Sequence, residues 1–147
     1  MPPADPAQIV VLDASVAVRW VVDEAGSDEA AALLARDLVW IAPRLLLTEA
    51  ASALRRKVAD HALAPAAAAQ SLDALLQAVA DGVIRLIEDE RVIAPALLLA
   101  LSLQHKVPDC LYLALAEREA AGLTTADDRL ARLARSRGVD VLQVPHA

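Results

Sequence analysis

Residues 8–13 read Gln-Ile-Val-Val-Leu-Asp, a short apolar run rich in β-branched side chains that ends directly on an acid. A run of this kind, without polar alternation, is typical of a strand buried on both faces of a parallel sheet. Residues 14–21 continue with small and apolar side chains, so the strand is expected to lead straight into a helix. The segment therefore predicts a strand-to-helix unit with Asp13 at the carboxyl end of the strand.

The rest of the chain alternates between strand and helix patterns. Pro43 and Pro65 are expected to open helices and Gly138 to end one. Ser27 is expected to cap the helix that follows it. The predicted strands are residues 8–12, 38–42, 83–87, 122–125 and 139–144. The predicted helices after the first are residues 28–36, 43–60, 65–80, 93–104, a helix that begins at Asp109, and 127–137.

Strands that alternate with helices predict a parallel sheet covered on both faces. The expected fold class is α/β, a three-layer α/β/α sandwich with a short, mostly parallel sheet of about five strands. A length of 147 residues suits one domain, and no internal repeat or linker divides the sequence. We therefore expect a single domain over residues 1–147.

The composition argues against membrane and disulfide-rich proteins. No apolar run reaches the roughly 18 residues of a membrane-spanning helix, and Met1-Pro2-Pro3-Ala4-Asp5 lacks the basic start of a signal peptide. The single cysteine, Cys110, allows no intrachain disulfide and is expected only to pack in an apolar helix. A soluble, cytoplasmic protein is the expectation.

The formal net charge of −6 argues against a simple nucleic-acid binder, because such proteins rely on a basic surface. Local basic clusters can still grip a substrate, or they are ordinary solvated helix surface. These clusters are Arg55, Arg56 and Lys57, and Arg129, Arg132, Arg135 and Arg137. The histidines have no metal-binding spacing and are expected to be surface or capping residues: His61, His105 and His146.

Three aspartates occur where strands or helices are predicted to meet. Asp13 and Asp127 follow predicted strands, and Asp109 starts a predicted helix. Ligands of open α/β sheets bind at the carboxyl ends of strands, so acids at such positions can converge on one site. Each aspartate can also be a plain helix N-cap, which is the more frequent role for any one of them.

Glu49 is harder to explain by capping, because it lies inside a predicted helix. Helical spacing places it on a face of apolar or small residues, namely Leu45, Leu46, Ser52 and Ala53. A carboxylate there should be neutral, paired or metal-bound, and a pair with Arg56 is the alternative to a metal. A carboxylate cluster suits Mg²⁺ or Mn²⁺ better than zinc. Ser15 and Thr125, each two residues from an acid, can orient a carboxylate or act as caps.

Four segments carry these acids: VVLDASVAVRW (10–20), LLLTEAASALRR (45–56), PDCLYLALAE (108–117) and LTTADDRLARLA (123–134). Their order and spacing resemble the four sequential motifs of PIN-domain ribonucleases, and in particular those of the VapC-type toxins of bacterial toxin–antitoxin pairs. The resemblance covers nearly the whole chain and implies a PIN-like fold. It also implies an Mg²⁺- or Mn²⁺-dependent endoribonuclease that acts as the toxin of such a pair.

The resemblance further implies the roles of individual residues and the partners. The catalytic and metal-binding acids correspond to Asp13, Glu49, Asp109 and Asp127, and the accompanying hydroxyls to Ser15 and Thr125. The implied partners are an RNA substrate, a second copy of the chain, and a VapB-like, DNA-binding antitoxin that inserts a basic segment into the acidic groove. Apolar helices around residues 72–79 and 97–103 are candidates for the homodimer interface.

Two positions depart from the family pattern, and other functions stay open. Ser52 stands where the family often carries Asn, but it can still hydrogen-bond and is expected to support the acids as Ser15 and Thr125 do. Pro108 stands where the family often carries Tyr or His, and the two departures leave the geometry around the acids open. One alternative is a catalytically weak PIN-like interaction protein whose acidic groove binds a basic partner segment. Another is a phosphotransfer or phosphatase domain with Asp13 as nucleophile, although Ser15 replaces the second Asp of a D-x-D motif.

Overall fold

The structure is a computed structural model that describes residues 8–146. The N-terminal segment of residues 1–5, from which the absence of a signal peptide was expected, lies outside these residues. Both ends of the expected domain also lie outside them. The strands are β1 (Gln8–Leu12), β2 (Leu38–Pro43), β3 (Ile84–Ile87), β4 (Gly122–Thr125) and β5 (Val141–Gln143). The helices are α1 (Ala14–Val21), α2 (Ser27–Leu34), α3 (Leu45–Ala59), α4 (Pro65–Ala80), α5 (Ile93–Leu103), α6 (Val107–Arg118) and α7 (Asp128–Ser136), with a 3-10 helix at Asp89–Arg91.

The strands form a five-stranded sheet in the order β3-β2-β1-β4-β5, and every pairing is parallel. This confirms the α/β class and the five-stranded sheet expected from the sequence. β1 lies at the centre, where Val10, Val11 and Leu12 have no exposed surface, which is why this strand is apolar without alternation. Because the strands are parallel, the chain leaves β1 and β4 at the same edge of the sheet.

Helix α6 is the most deeply buried of the described helices. It packs on β1, β2 and β4 and also on α5. Its residues 109–116 are all buried, which explains why this stretch is apolar on every face rather than amphipathic. Cys110 is among these buried residues, as the packing role predicted. The helix therefore holds Asp109 and Tyr112 in fixed positions near the end of β1.

The capping role predicted for Ser27 is wrong. Ser27 is the first residue of α2, and Gly26 is the N-cap in a left-handed conformation with φ of +88°. The Ser27 hydroxyl instead donates to the carbonyl of Val22 and accepts from the N–H of Glu24. A Cβ at position 26 would lie 2.1 Å from the carbonyl oxygen of Pro145, so only glycine fits this turn.

Two predicted helix starts are also wrong. β2 runs through Pro43 and α3 begins only at Leu45, because Pro43 takes the last strand position opposite Ile87. The N–H of the next residue, Arg44, bonds to the carbonyl of Ile87, so the missing N–H of proline costs no ladder bond there. Helix α6 begins at Val107 rather than at Asp109, since proline is well tolerated in a first helical turn.

The remaining boundaries differ from the predicted ones by small shifts that are ordinary for element ends. The 3-10 helix at Asp89–Arg91 was not predicted. None of the helices in residues 8–146 combines the length and the apolar character that crossing a membrane requires.

Candidate metal centre

A cavity of about 370 Å³ opens beside the carboxyl ends of β1 and β4. It collects side chains from the loop after each of these strands and from helices α1, α3 and α6. All four acids singled out in the sequence line it, although they are far apart along the chain. The lining residues are Asp13, Ala14, Ser15, Glu49, Ser52, Arg56, Lys106, Asp109 and Asp127.

Asp13 lines this cavity and is only 7% exposed. Its Oδ2 accepts hydrogen bonds from Ser15 Oγ at 2.5 Å and from Thr125 Oγ1 at 2.8 Å. Its side chain makes no capping hydrogen bond to α1, so the capping alternative is wrong for this residue. Burial raises the pKa of Asp13 to about 6; the two hydroxyl hydrogen bonds oppose the rise, and the charges of Glu49 and Asp109 add to it.

Asp127 combines the two roles that its position allowed. It is the N-cap of α7, and its Oδ1 accepts from the N–H groups of Arg129 and Leu130 at 2.8 and 3.1 Å. Capping therefore uses one carboxylate oxygen, which leaves the second for a ligand in the cavity. The capping role predicted for Asp127 is confirmed, and it fixes this side chain at the cavity wall.

Thr125 and Ser15 connect the two aspartates. Thr125 Oγ1 donates to Asp13 and accepts the N–H of Asp127 at 3.0 Å. Ser15 Oγ donates to the same oxygen of Asp13 and accepts the N–H of Ala126 at 3.0 Å. Because both hydroxyls orient a carboxylate, the structure favours that role over simple helix capping.

Glu49 is half-buried on α3 and accepts a hydrogen bond from the hydroxyl of Tyr112 at 2.7 Å. Within residues 8–146 it forms no ion pair with Arg56, contrary to the alternative considered from the sequence, although Arg56 lines the same cavity. Burial raises the pKa of Glu49, the Tyr112 hydrogen bond opposes the rise, and the charge of Asp109 adds to it. Ser52 is exposed at the same wall.

Tyr112 was missed in the sequence analysis. It is the only tyrosine of the chain and is fully buried in α6. A buried tyrosine hydroxyl needs a partner, which was the available signal. Burial, followed by the nearby charges of Asp13 and Glu49, raises the pKa of the Tyr112 phenol, so it remains a hydrogen-bond donor to Glu49.

Asp109 is 7% exposed and lies in the first turn of α6 rather than at its cap. Its Oδ2 lies 2.7 Å from His105 Nε2 and 3.7 Å from Lys106 Nζ. The surface or capping role expected for His105 is therefore wrong, since its side chain is only 2% exposed. Gln104 ends α5 in a left-handed conformation and turns His105 inward. His61 and His146 are exposed, as expected.

The donor chemistry of the cavity fits a hard divalent cation. Within the part of the chain that the structure describes, no three His, Cys, Asp or Glu side chains already form a metal-binding group. However, the four acids line one cavity, and mutual repulsion adds to the raised pKa values of Asp13 and Glu49. A cation would relieve this repulsion, and Mg²⁺ keeps several waters, so it does not require direct contact with every carboxylate.

A larger cavity, of about 740 Å³, lies at the opposite edge of the sheet, where β1 and β4 begin. Its lining includes Gln8, Gly122 and Asp140. Ligand sites of parallel sheets lie at the carboxyl ends of strands, so size does not make this cavity the better candidate. The four acids place the candidate centre in the smaller cavity.

The parallel sheet and the acidic cavity at its carboxyl edge together define a nuclease-like α/β domain. The chain belongs to the PIN domain family, whose sequence profile matches residues 10–136. Members of this family are typically metal-dependent nucleases. No curated protein sequence matches the chain.

Several solved structures share the fold. PAE2754 from Pyrobaculum aerophilum is 22% identical with a TM-score of 0.67, over 92% of this chain and 83% of that chain. VapBC2 from Rickettsia felis, bound to a DNA fragment from its promoter, is 14% identical with a TM-score of 0.60, over 93% and 99%. VapBC-5 of Mycobacterium tuberculosis, from the VapBC family of toxin–antitoxin systems, is 24% identical with a TM-score of 0.54, over 95% and 99%. At these identities the likeness shows the fold.

Proposed function

We propose that this chain is an Mg²⁺- or Mn²⁺-dependent endoribonuclease, built as a single PIN domain, that acts in the cytoplasm as the toxin of a toxin–antitoxin pair. The observation that carries the proposal is the meeting of Asp13, Glu49, Asp109 and Asp127 in one cavity. The family supports metal-dependent nuclease activity. The fold shared with VapBC structures supports the toxin role.

In this proposal Asp13, Asp109 and Asp127 hold the cation, and Glu49 is a further ligand or orients the attacking water. A bound divalent cation supplies an acidified water and offsets the charge that develops on the phosphodiester. Ser15 and Thr125 hold Asp13 in one orientation through the bonds to Oδ2. Tyr112 holds one oxygen of Glu49, so the other oxygen can accept a proton from water.

Removal of divalent metal tests this function. With excess EDTA we expect cleavage of a structured RNA to stop, and restored Mg²⁺ or Mn²⁺ to recover it, because the proposed reaction takes its acidified water and the charge offset on the phosphodiester from the cation. The measurement is product formation on a denaturing gel. Equal cleavage in EDTA would overturn the metal-dependent function.

RNA binding must rely on local basic side chains, because the net charge of −6 repels RNA. Arg56 lines the acidic cavity, whereas its neighbour Arg55 is exposed on α3 and does not. We expect Arg56→Ala to raise KM for RNA several-fold with a smaller effect on kcat, since it removes a phosphate contact. Arg55→Ala is the matched control, because it removes the same charge from α3 outside the cavity. An equal rise in KM for both variants would contradict a specific role for Arg56, since any positive charge on this part of α3 would then serve equally.

A second candidate function is a catalytically weak interaction protein whose cavity receives a basic segment of a partner. The four acids that line the cavity are also the complementary charge that a basic segment would need, which favours this alternative. The two functions differ in one assay, because only the nuclease loses RNA cleavage when Asp13 is replaced by Asn. In both, a VapB-like, DNA-binding antitoxin with a basic segment is the proposed partner, and the acidic cavity supplies the complementary charge.

We propose a homodimer that uses one of two apolar helix faces. On α5, Leu98 and Leu101 are 69% and 68% exposed, and on α4 Leu76 is 44% exposed. The larger exposed area on α5 favours that helix. We expect Leu98→Glu with Leu101→Glu to convert a dimer to a monomer in light scattering, and Leu76→Glu to leave it intact. The reverse result would place the interface on α4.

A further inference from the structure

His105 lies at the junction of two helices and points at an acid of the cavity. The ring is almost fully buried, with 2% of the side chain exposed, and its Nε2 is 2.7 Å from Asp109 Oδ2. The left-handed Gln104, with φ of 52°, ends α5 just before it, and the His105 N–H bonds to the carbonyl of Ala100. Helix α6 starts at Val107, so the backbone of His105 is held between two helix ends.

The second ring nitrogen decides how His105 contacts Asp109. His105 Nδ1 is buried and has no hydrogen-bond partner within residues 8–146. A carboxylate oxygen accepts, so the Nε2 atom is the donor in this contact. The geometry therefore indicates a ring that carries a hydrogen on Nε2.

We propose that His105 is a positioning residue that holds Asp109 for the cation. Its Nε2–H donates to Asp109 Oδ2 and so presents Oδ1 to the cavity. This inference rests on the proposed metal-dependent function. Lys106 Nζ is farther from the same oxygen, at 3.7 Å, and its side chain is 65% exposed, so its pull is weakened by solvent. Outer-shell donors of this kind set the orientation of ligands around a metal.

Three variants separate positioning from packing. His105→Leu removes the donor but keeps an apolar side chain, and His105→Gln keeps an amide N–H that reaches the place of Nε2. His105→Asn is the matched control, because its amide reaches only the place of Nδ1. We expect Mn²⁺ to bind about 10- to 100-fold more weakly to the Leu and Asn variants than to wild type, and the Gln variant to bind nearly as tightly. Electron paramagnetic resonance counts free Mn²⁺, and unfolding in EDTA reports folding.

A purely structural ring would give a different result. If the Leu and Asn variants fold and bind Mn²⁺ as wild type does, the proposal is wrong. Should the Leu variant fail to fold, the difference between Gln and Asn decides. Nitrogen-15 NMR of the wild-type imidazole needs no variant: hydrogen on Nε2 supports the proposal, and hydrogen on Nδ1 alone overturns it. If wild type binds no Mn²⁺, the metal-dependent function fails, while the NMR result still shows whether the ring holds Asp109.

Discussion

Replacing Asp13 with asparagine is expected to lower RNA cleavage by at least about a hundredfold, since the loss of an outer-shell residue alone costs about 10- to 100-fold at metal sites. The same change is expected to stabilise the metal-free protein at neutral pH. Asp13 is buried beside Glu49 and Asp109, whose charges disfavour its ionisation. Asparagine carries no charge, and its carbonyl oxygen can still accept the hydrogen bonds from Ser15 and Thr125.

The pH dependence of the free energy of unfolding follows from the carboxyl group of Asp13. Its pKa is about 6 in the folded protein against an ordinary value of 3.8. The folded protein thus holds this proton more tightly than the unfolded chain, so the free energy of unfolding falls as pH rises from about 4 to about 6. A difference of about two pKa units corresponds to about 3 kcal/mol at neutral pH. Asp13→Asn should remove this loss.

Urea unfolding in EDTA at pH 4 and pH 7 measures the effect, and RNA cleavage in Mg²⁺ measures the activity. Asp73→Asn, on the exposed side of α4, is the control and should change neither quantity. Lower stability of Asp13→Asn than of wild type at pH 7 would contradict the electrostatic account. Full cleavage by this variant would contradict the catalytic role.

Thr125→Val is expected to weaken both the fold and the metal site. Thr125 is fully buried and its hydroxyl bonds to Asp13 Oδ2 and to the N–H of Asp127. Valine has nearly the same shape but leaves the Asp127 N–H without its partner, which costs about 1–3 kcal/mol. Because Asp13 also loses one of the two hydroxyls that orient it, we expect Mn²⁺ affinity to fall about 10- to 100-fold.

The neighbouring residue supplies a matched control for this prediction. Thr124 is also fully buried, but its hydroxyl donates to the carbonyl of Leu142 in β5 and touches no acid of the cavity. Thr124→Val should therefore lower the free energy of unfolding by a similar amount without changing Mn²⁺ affinity. A similar loss of affinity in both variants would show that general loosening of β4, rather than the bond to Asp13, weakens the site.

The candidate acids were predictable because each carries a local signal. Asp13 directly follows the apolar strand β1, and Asp127 follows β4 and caps the next helix. Glu49 stands out as a charge on an apolar helix face. Two contacts of the cavity were not predicted. The buried hydroxyl of Tyr112 signalled that a partner exists but not which one, because Glu49 is 63 residues away in another helix. His105 lies only four residues before Asp109, but it stands in the turn after α5, so helical spacing did not indicate that its ring points at this acid.

The sequence by itself determined the alternation of strands and helices, the buried centre of the sheet and the acids at the strand ends. These features depend on neighbouring residues, through side-chain period, turn residues and caps. Only the tertiary structure decided that Asp13 is held by hydroxyls instead of capping α1, that α6 starts at Val107, and that His105 is buried. Such choices depend on which groups become neighbours once the parallel strands align their carboxyl ends, because burial makes an unpaired polar group costly and so selects its partner.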